Sequence, residues 1–276
     1  FLTIGTALTL LALLMRWNNK RRQEEEAAVA EEENRVEERP EDYLRVDLLE
    51  CEIGYQLVPL VDTNQGGDLI ERIVQIRKVA AMEMGFIVPP VRVRDNIQLK
   101  PNEYQIKIKG DPIARGELHP KSLLAIDPGV AEGPVEGVET TDPAFGLPAR
   151  WIHSDQRERA ELLGYNVVET VAVLATHLTE VITANAAELM GRQETQHLID
   201  EFKQLHPAVV EELIPDVVPV GRLQRVMQNL LMERVPVRDF RTILETLADY
   251  GDIKDVEILT EYARTALRRS ICNVLL

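Results

Sequence analysis

A chain of 276 residues has room for about two domains of ordinary size. With 45% hydrophobic and 28% charged residues it can build a real core, which excludes disorder throughout. Against 31 Lys and Arg stand 46 Asp and Glu, a formal net charge of −15 with no dense basic stripe, and this argues against a nucleic-acid partner. The two cysteines, Cys51 and Cys272, lie far apart and outside any Cys-x-x-Cys spacing. Neither a disulfide framework nor a zinc site is expected, and a reducing compartment fits. Aromatic residues make up only 5%, so aliphatic side chains must fill the core.

Residues 1–15, from Phe1 to Met15, carry no charge. As a helix they would span only about 22 Å, short of a hydrocarbon layer of roughly 30 Å. The basic run Arg16-Trp17-Asn18-Asn19-Lys20-Arg21-Arg22 follows the apolar stretch, whereas a signal peptide places its basic residues first. Residues 1–17 therefore read as the end of a transmembrane helix leaving on the cytoplasmic side. A buried helix of a soluble domain is the alternative. Residues 18–47 hold Glu24-Glu25-Glu26, Glu31-Glu32-Glu33 and Glu37-Glu38 with almost no apolar face, and read as an acidic linker. The other end, residues 270–276, is an uncapped apolar run and reads as the start of an unfinished unit, so a fragment at both ends is expected.

Between these ends, Leu44 to Val61 is rich in apolar and β-branched residues and predicts strand, with a turn at Gly54. Leu69, Ile70, Ile73, Val74, Ile76, Val79, Ala80 and Met84 recur at helical spacing and predict a helix closed by Gly85. Val91–Arg94 and Gln105–Lys109 alternate apolar with polar residues as half-buried strands do, and turns are expected at Asp95-Asn96 and Pro101-Asn102. From Gly110 to Pro148 the composition shifts to Gly, Pro and acid, which predicts a second small unit of short strands and long loops. Asn166 to Met190 predicts one long amphipathic helix. Val171, Leu174, Leu178, Val181 and Ile182 lie on its apolar stripe; Ala172, Val173, Thr176, Glu180 and Thr183 lie on the mixed opposite face. Helices follow at about 193–205, 222–233, 239–250 and from 255, with Pro207, Pro215 and Pro219 as breaks.

The chemistry of an enzyme is hard to find. There is no Gly-x-x-x-x-Gly-Lys-[Ser/Thr], His-Glu-x-x-His or Gly-x-Ser-x-Gly. Gly66-Gly67-Asp68 precedes a helix and could cradle an anion, but without a following Lys it reads as a helix start. The five histidines never stand at i, i+4, and His177 within the long helix reads as a structural histidine rather than a base. No catalytic residue, metal site or cofactor is nominated. A membrane-tethered nucleotide hydrolase stays as the rival of another class.

One loop stands out. In Thr141-Asp142-Pro143-Ala144-Phe145-Gly146-Leu147-Pro148-Ala149-Arg150-Trp151 two prolines stiffen a backbone that carries Phe145 and Trp151 in a chain short of aromatics. A stiffened loop presenting a Phe suits a preformed docking surface. The plainer reading has both aromatics capping the local core, and composition alone favours it.

Four blocks resemble one family: Asp142-Pro143-Ala144-Phe145-Gly146-Leu147-Pro148, Ala175-Thr176-His177-Leu178, Ala187-Glu188-Leu189-Met190-Gly191-Arg192-Gln193-Glu194, and the run from Val235 to Tyr250. In this order they resemble the FHIPEP family, the large export-gate proteins of bacterial type III secretion, and Gly191-Arg192-Gln193-Glu194 and Leu244 to Tyr250 look like its flagellar branch. The resemblance implies a non-enzymatic component of the flagellar export apparatus in the bacterial inner membrane, with an injectisome homologue as the alternative. It implies a mixed α/β, multi-subdomain cytoplasmic domain after the membrane helix and linker. The first subdomain would be 48–120 plus 170–189, the second, inserted one 121–169, the helical third 190–269, and a truncated fourth would begin at 270–276.

The same resemblance implies a docking cleft for flagellar export chaperone–substrate complexes lined by Asp142, Phe145 and Thr176, whose motifs are intact. That these three residues meet in space is part of the resemblance. It further implies a nonameric ring, contacts with other export-gate subunits and the export ATPase complex, and a linker that touches the neighbouring subunit. Linker acids could pair with Arg77, Lys78 or Arg92 of that neighbour, or the linker could be a plain solvated spacer.

Overall fold

In the computed structural model, which describes residues 46–275, the first apolar run divides at Gly54. Strand β1 (Leu49–Ile53) alternates buried with half-buried residues, and a 3-10 helix (Tyr55–Leu60) follows instead of more strand. Leu57 and Leu60, three residues apart, are its buried side chains, the spacing of a 3-10 turn, and Pro59 has no N–H for a ladder. Gln56 N–H donates to the Pro101 carbonyl at 3.0 Å and holds the bend. The expected membrane helix of residues 1–17 and nearly all of the expected linker lie outside the described residues.

Helix α1 (Leu69–Met84) forms where the periodicity predicts it and closes at Gly85, which adopts φ +89° and donates its N–H to the Ala81 carbonyl. Asp68 at its start pairs with Arg72 at 2.6 Å. A carboxylate in that place works against an anion and leaves Gly66-Gly67-Asp68 as a helix start. Strands β2 (Val91–Asp95), β3 (Glu103–Ile108) and β4 (Asp111–Glu117) complete a four-stranded sheet of order β2-β1-β3-β4, with β2 parallel to β1 and the other pairings antiparallel. The composition shift at Gly110 is therefore not a change of unit. Lys109 and Gly110, both with positive φ, form the turn that sends β4 back along β3.

A second sheet of order β6-β7-β5-β8 is antiparallel throughout: β5 (Leu123–Ile126), β6 (Val138–Thr141), β7 (Pro148–Ile152) and β8 (Asn166–Glu169), with short helix α2 (Arg157–Leu162) before its last strand. Here Asn166–Glu169 is strand, not the first turn of the predicted long helix. Val167 and Val168 are β-branched and pair with Ala125 and Leu124 of β5. Helix α3 (Thr170–Ala184) then starts abruptly, with the Thr170 hydroxyl donating to the His119 and Ser122 carbonyls, both at 2.8 Å. Its apolar arc is wider than predicted. Val173, assigned to the mixed face, is buried, whereas Thr176 is exposed.

The rest is helical: α4 (Ala186–Leu189), α5 (Arg192–Leu205), α6 (Pro207–Leu213), α7 (Val220–Met232), α8 (Phe240–Asp249), α9 (Val256–Ala266) and α10 (Arg268–Leu275). Pro207 does not break the chain as its residue type predicts but opens helix α6, standing in the first turn, where a missing N–H costs nothing. Asp239 and Asp255 cap α8 and α9.

One continuous core runs from the first sheet through α1 and α3 into these helices, and it takes Leu124, Ala149 and Trp151 from one face of the second sheet. The other face of that sheet keeps its own small core of Leu123, Ala125, Val135 and Ile152 beneath Ala160 of α2. The described residues from Asp47 onward make one compact unit. None of their helices is long and apolar enough to cross a membrane.

Candidate docking site

The hairpin between β6 and β7 carries the loop singled out in the sequence. Thr141 pairs with Pro148 across the ladder, and the Asp142 N–H continues it by donating to the Leu147 carbonyl at 2.8 Å. The chain reverses within Pro143 to Gly146, where the Gly146 N–H donates back to the Asp142 carbonyl at 2.9 Å and Gly146 adopts φ +71°. A side chain at Gly146 would be strained in that left-handed conformation. Behind the turn, Arg150 pairs with Glu139 and donates to the Val135 carbonyl at 3.0 Å, which braces the two strands.

Asp142 and Phe145 have opposite environments. Asp142 is only 3% exposed, and its carboxylate accepts the Phe145 backbone N–H at 2.8 Å. The Phe145 side chain is 63% exposed. Trp151, in contrast, is buried in the main core and lies 5.2 Å from the His119 ring. The two aromatics thus divide the two sequence readings: Trp151 caps a core, and Phe145 is held out from it by a buried acid.

Thr176 is exposed on α3 and directly precedes His177. His177 is buried, and its Nδ1 lies 2.6 Å from the Tyr104 hydroxyl of β3. Burial pushes the His177 imidazole below its ordinary range, while the Asp142 carboxylate pulls the other way. Burial likewise pushes the Tyr104 phenol up, with Cys51 and Asp142 acting in the same direction. The structure joins Asp142 directly to Phe145 by a hydrogen bond and shows no hydrogen bond from either of them to Thr176.

Sequence reasoning did not single out Tyr104, and it named His177 only as structural. A polar ring on the apolar arc of α3, flanked by Leu174, Leu178 and Val181, signals that a buried partner is needed. The helix pattern cannot say which strand supplies it. Cys51 of β1 is buried with its thiol pushed up to about 12 by desolvation, so it is inert as a nucleophile. Among the described residues no group of three His, Cys, Asp or Glu side chains is arranged to hold a metal ion. A cavity of about 790 Å³ opens beside Met84, Leu231, Val235 and Pro236, and none of the three candidate residues lines it.

Comparison with known proteins points in one direction. The sequence model of the FHIPEP family matches residues 1–276. The flagellar biosynthesis protein FlhA of Bacillus subtilis is 50% identical over 229 residues, 83% of this chain and 34% of that protein. The FlhA of Escherichia coli is 49% identical over 237 residues, 86% of this chain and 34% of that protein. This chain thus spans about a third of the length of the curated relatives it matches. Among solved structures, the Chlamydia pneumoniae CdsV protein matches with a TM-score of 0.71 at 25% identity, over 85% of this chain and 69% of that one. The nonameric SctV-C of EPEC, solved by cryo-EM, matches with a TM-score of 0.62 at 25% identity, over 82% and 67%. The complex of CdsV with CdsO has the same fold, with a TM-score of 0.69 at 24% identity over 81% of this chain and 70% of that one.

Proposed function

The chain belongs to the FHIPEP family, and from that premise we propose that it is part of the gate of the flagellar protein-export apparatus. Its folded region docks export chaperone–substrate complexes on a surface made by Asp142, Phe145 and Thr176. The observation that carries this reading is the Asp142–Phe145 hairpin. A buried carboxylate fixes the backbone of an otherwise unsupported, exposed Phe, so the anchor is offered in one orientation before any partner arrives. In this reading Thr176, exposed on α3, supplies the second wall.

Half-identity to proteins named for flagellar biosynthesis favours the flagellar branch over an injectisome counterpart. The nonameric assembly of SctV-C, which shares the fold, supports a ring of nine copies here. A ring would gather identical sites and raise the local concentration of cargo without a tight single contact. CdsV is also seen in complex with CdsO, and a contact with a further protein of the export apparatus is part of the same reading here. The work is that of a platform, in the bacterial inner membrane, with residues 48–120 plus 170–189, 121–169 and 190–269 as its subdomains and no catalytic centre.

Calorimetric titration of the full chain with a cognate flagellar chaperone–substrate complex tests the reading. Binding that is lost in Phe145→Ala supports it. Binding of equal strength by both proteins overturns the site.

A further inference from the structure

The loop that presents Phe145 continues a strand with one open side. Strand β6 stands at the edge of the second sheet, paired with β7 on one side and, among the described residues, with no strand on the other. The register shows which of its main-chain groups are in use. Asp142 faces Leu147, and the Asp142 N–H donates to the Leu147 carbonyl, so theirs is a hydrogen-bonded pair. Along an antiparallel ladder such pairs alternate with open ones. Thr140 with Ala149 is therefore bonded, whereas Thr141 with Pro148 and Glu139 with Arg150 are open. Pro148 agrees: it has no N–H, and its carbonyl accepts the Asp127 N–H at the end of β5. The N–H and C=O groups of Glu139 and Thr141 thus point away from β7, and no backbone hydrogen bond within the described residues meets them.

The other three sheet edges are protected in ways that β6 is not. Strand β2 carries Arg92 and Arg94, and β4 carries Pro112 and a shift of register opposite Ile106 and Lys107. Strand β8 ends on Glu169, which pairs with Arg72 of α1 at 3.9 Å and with Arg157 of α2 at 3.7 Å. Strand β6 reads Val138-Glu139-Thr140-Thr141, with three β-branched residues, no proline and no basic residue. Its one charge is turned across the ladder to Arg150, and Val138 is exposed. Such an edge is a template for another strand. We infer that β6 receives an extended segment of the docked chaperone–substrate complex as an added strand, bonded to the main chain of Glu139 and Thr141 beside the Asp142–Phe145 turn. The inference rests on the docking reading and adds to it the form in which the partner binds. Side chains of the added strand on the face of Val138 and Thr140 meet methyl groups and a hydroxyl, which suit β-branched neighbours. Glu132 and Glu136, exposed just before β6, and Glu139 itself disfavour an acidic segment. Main-chain bonds are indifferent to side-chain identity, so one edge can take segments of different cargo while Phe145 supplies the apolar anchor.

Amide hydrogen exchange, read residue by residue on the full chain with and without a cognate flagellar chaperone–substrate complex, tests it. In the free chain the Glu139 and Thr141 amides should exchange quickly, and the Thr140 amide, bonded to β7, slowly. Cargo should slow Glu139 and Thr141 by about tenfold or more and erase that alternation. Amides at 139 and 141 that stay fast in the complex overturn the inference. So does protection of both in the free chain, which would mean that the edge is already filled. Thr141→Pro removes one outward N–H and no internal hydrogen bond, so affinity for the complex should fall about tenfold with the melting temperature held. Should proline disturb the turn, Val138→Lys, at an exposed position, puts a basic side chain on the edge and should weaken binding in the same way. Full affinity in both folded variants overturns the inference. The two readings fail separately. If Phe145→Ala abolishes binding and the two amides of the parent chain stay fast in the complex, the docking surface stands and the added strand does not. If Phe145→Ala binds cargo as tightly as the parent while both amides are slowed, the edge is the site and the Phe145 anchor is wrong.

Discussion

The carboxylate of Asp142, 3% exposed, accepts the backbone N–H of Phe145, whose side chain is 63% exposed, at 2.8 Å. A buried acid thus holds a large apolar side chain in water, which hydrophobic burial alone would oppose. Asp142→Ala leaves the Phe145 amide without its acceptor and frees the turn. We expect a loss of about 1–2 kcal/mol in stability, read by urea denaturation, together with weaker cargo binding. Asp142→Asn keeps an acceptor oxygen and should cost about half as much. Equal costs for both would show that charge, rather than the hydrogen bond, holds the turn.

Phe145→Ala should separate binding from folding. An exposed side chain contributes little to the core, so stability should change by less than about 0.5 kcal/mol. Affinity for the chaperone–substrate complex should drop by about 2 kcal/mol or more, as expected when an aromatic anchor is truncated. A variant that melts earlier by several degrees would place Phe145 in the packing of the hairpin and remove it from the docking surface.

How far the sequence foretold this arrangement depends on the range of the interaction. Helix α1, its glycine stop and strands β2 and β3 follow from periodicity and turn chemistry, which act over a few residues. The pattern misled at Leu57–Leu60, where spacing by three and Pro59 make a 3-10 turn, and at Asn166–Glu169, where pairing with β5 overrode helical spacing. Val173 was misplaced because α3 is covered on more sides than a single stripe suggests. At the candidate site the stiffness of the loop was legible from Pro143 and Pro148. The environment of Asp142 and the partnership of Tyr104 with His177, 73 residues apart, were not, because they depend on how two sheets and a helix meet.

The pH dependence of stability should show His177. Burial holds its folded-state value below 6.5, with Asp142 opposing. The unfolded chain therefore takes up a proton near pH 6.5 that the folded chain resists. Stability is full above that pH and declines as the pH falls below it. Glu52 acts in a separate window. Burial opposes its charge, but hydrogen bonds from Lys107, Asn96 and Gln105 outweigh this and hold it below 4.5, so its contribution is lost only in stronger acid. The urea midpoint should be flat from about pH 8 to 7 and fall as the pH drops below about 6.5. In His177→Gln that fall should shrink, and an unchanged profile would mean that other groups set it.

Glu52 is the hub of the polar face of the first sheet. It accepts from Lys107 Nζ at 2.6 Å, Gln105 Nε2 at 2.5 Å and Asn96 Nδ2 at 2.8 Å. Gln105 is only 6% exposed, so it cannot turn to water when its acceptor is removed. Glu52→Ala should therefore cost about 2–3 kcal/mol at neutral pH, well above the loss from an exposed ion pair. A loss under about 0.5 kcal/mol in urea denaturation would class this network with ordinary surface pairs.

Gly85 joins the first sheet's helix to the helical region. It ends α1 at φ +89°, and the carbonyl of Met84 beside it accepts the Val237 N–H at 2.8 Å. A Cβ on Gly85 would overlap the backbone N and Cα of Arg238. Gly85→Ala thus combines a left-handed alanine, worth about 1 kcal/mol, with a collision against main chain that no rotamer relieves, and the two together should cost about 2–4 kcal/mol. Because the overlap falls on residues 237 and 238, the damage should be local as well as global. The melting temperature should fall, and the Val237 amide should lose protection from exchange before the β3 amides do. If the Val237 amide stays as protected as in the parent chain, the close approach of Gly85 to Arg238 is not what couples α1 to α8.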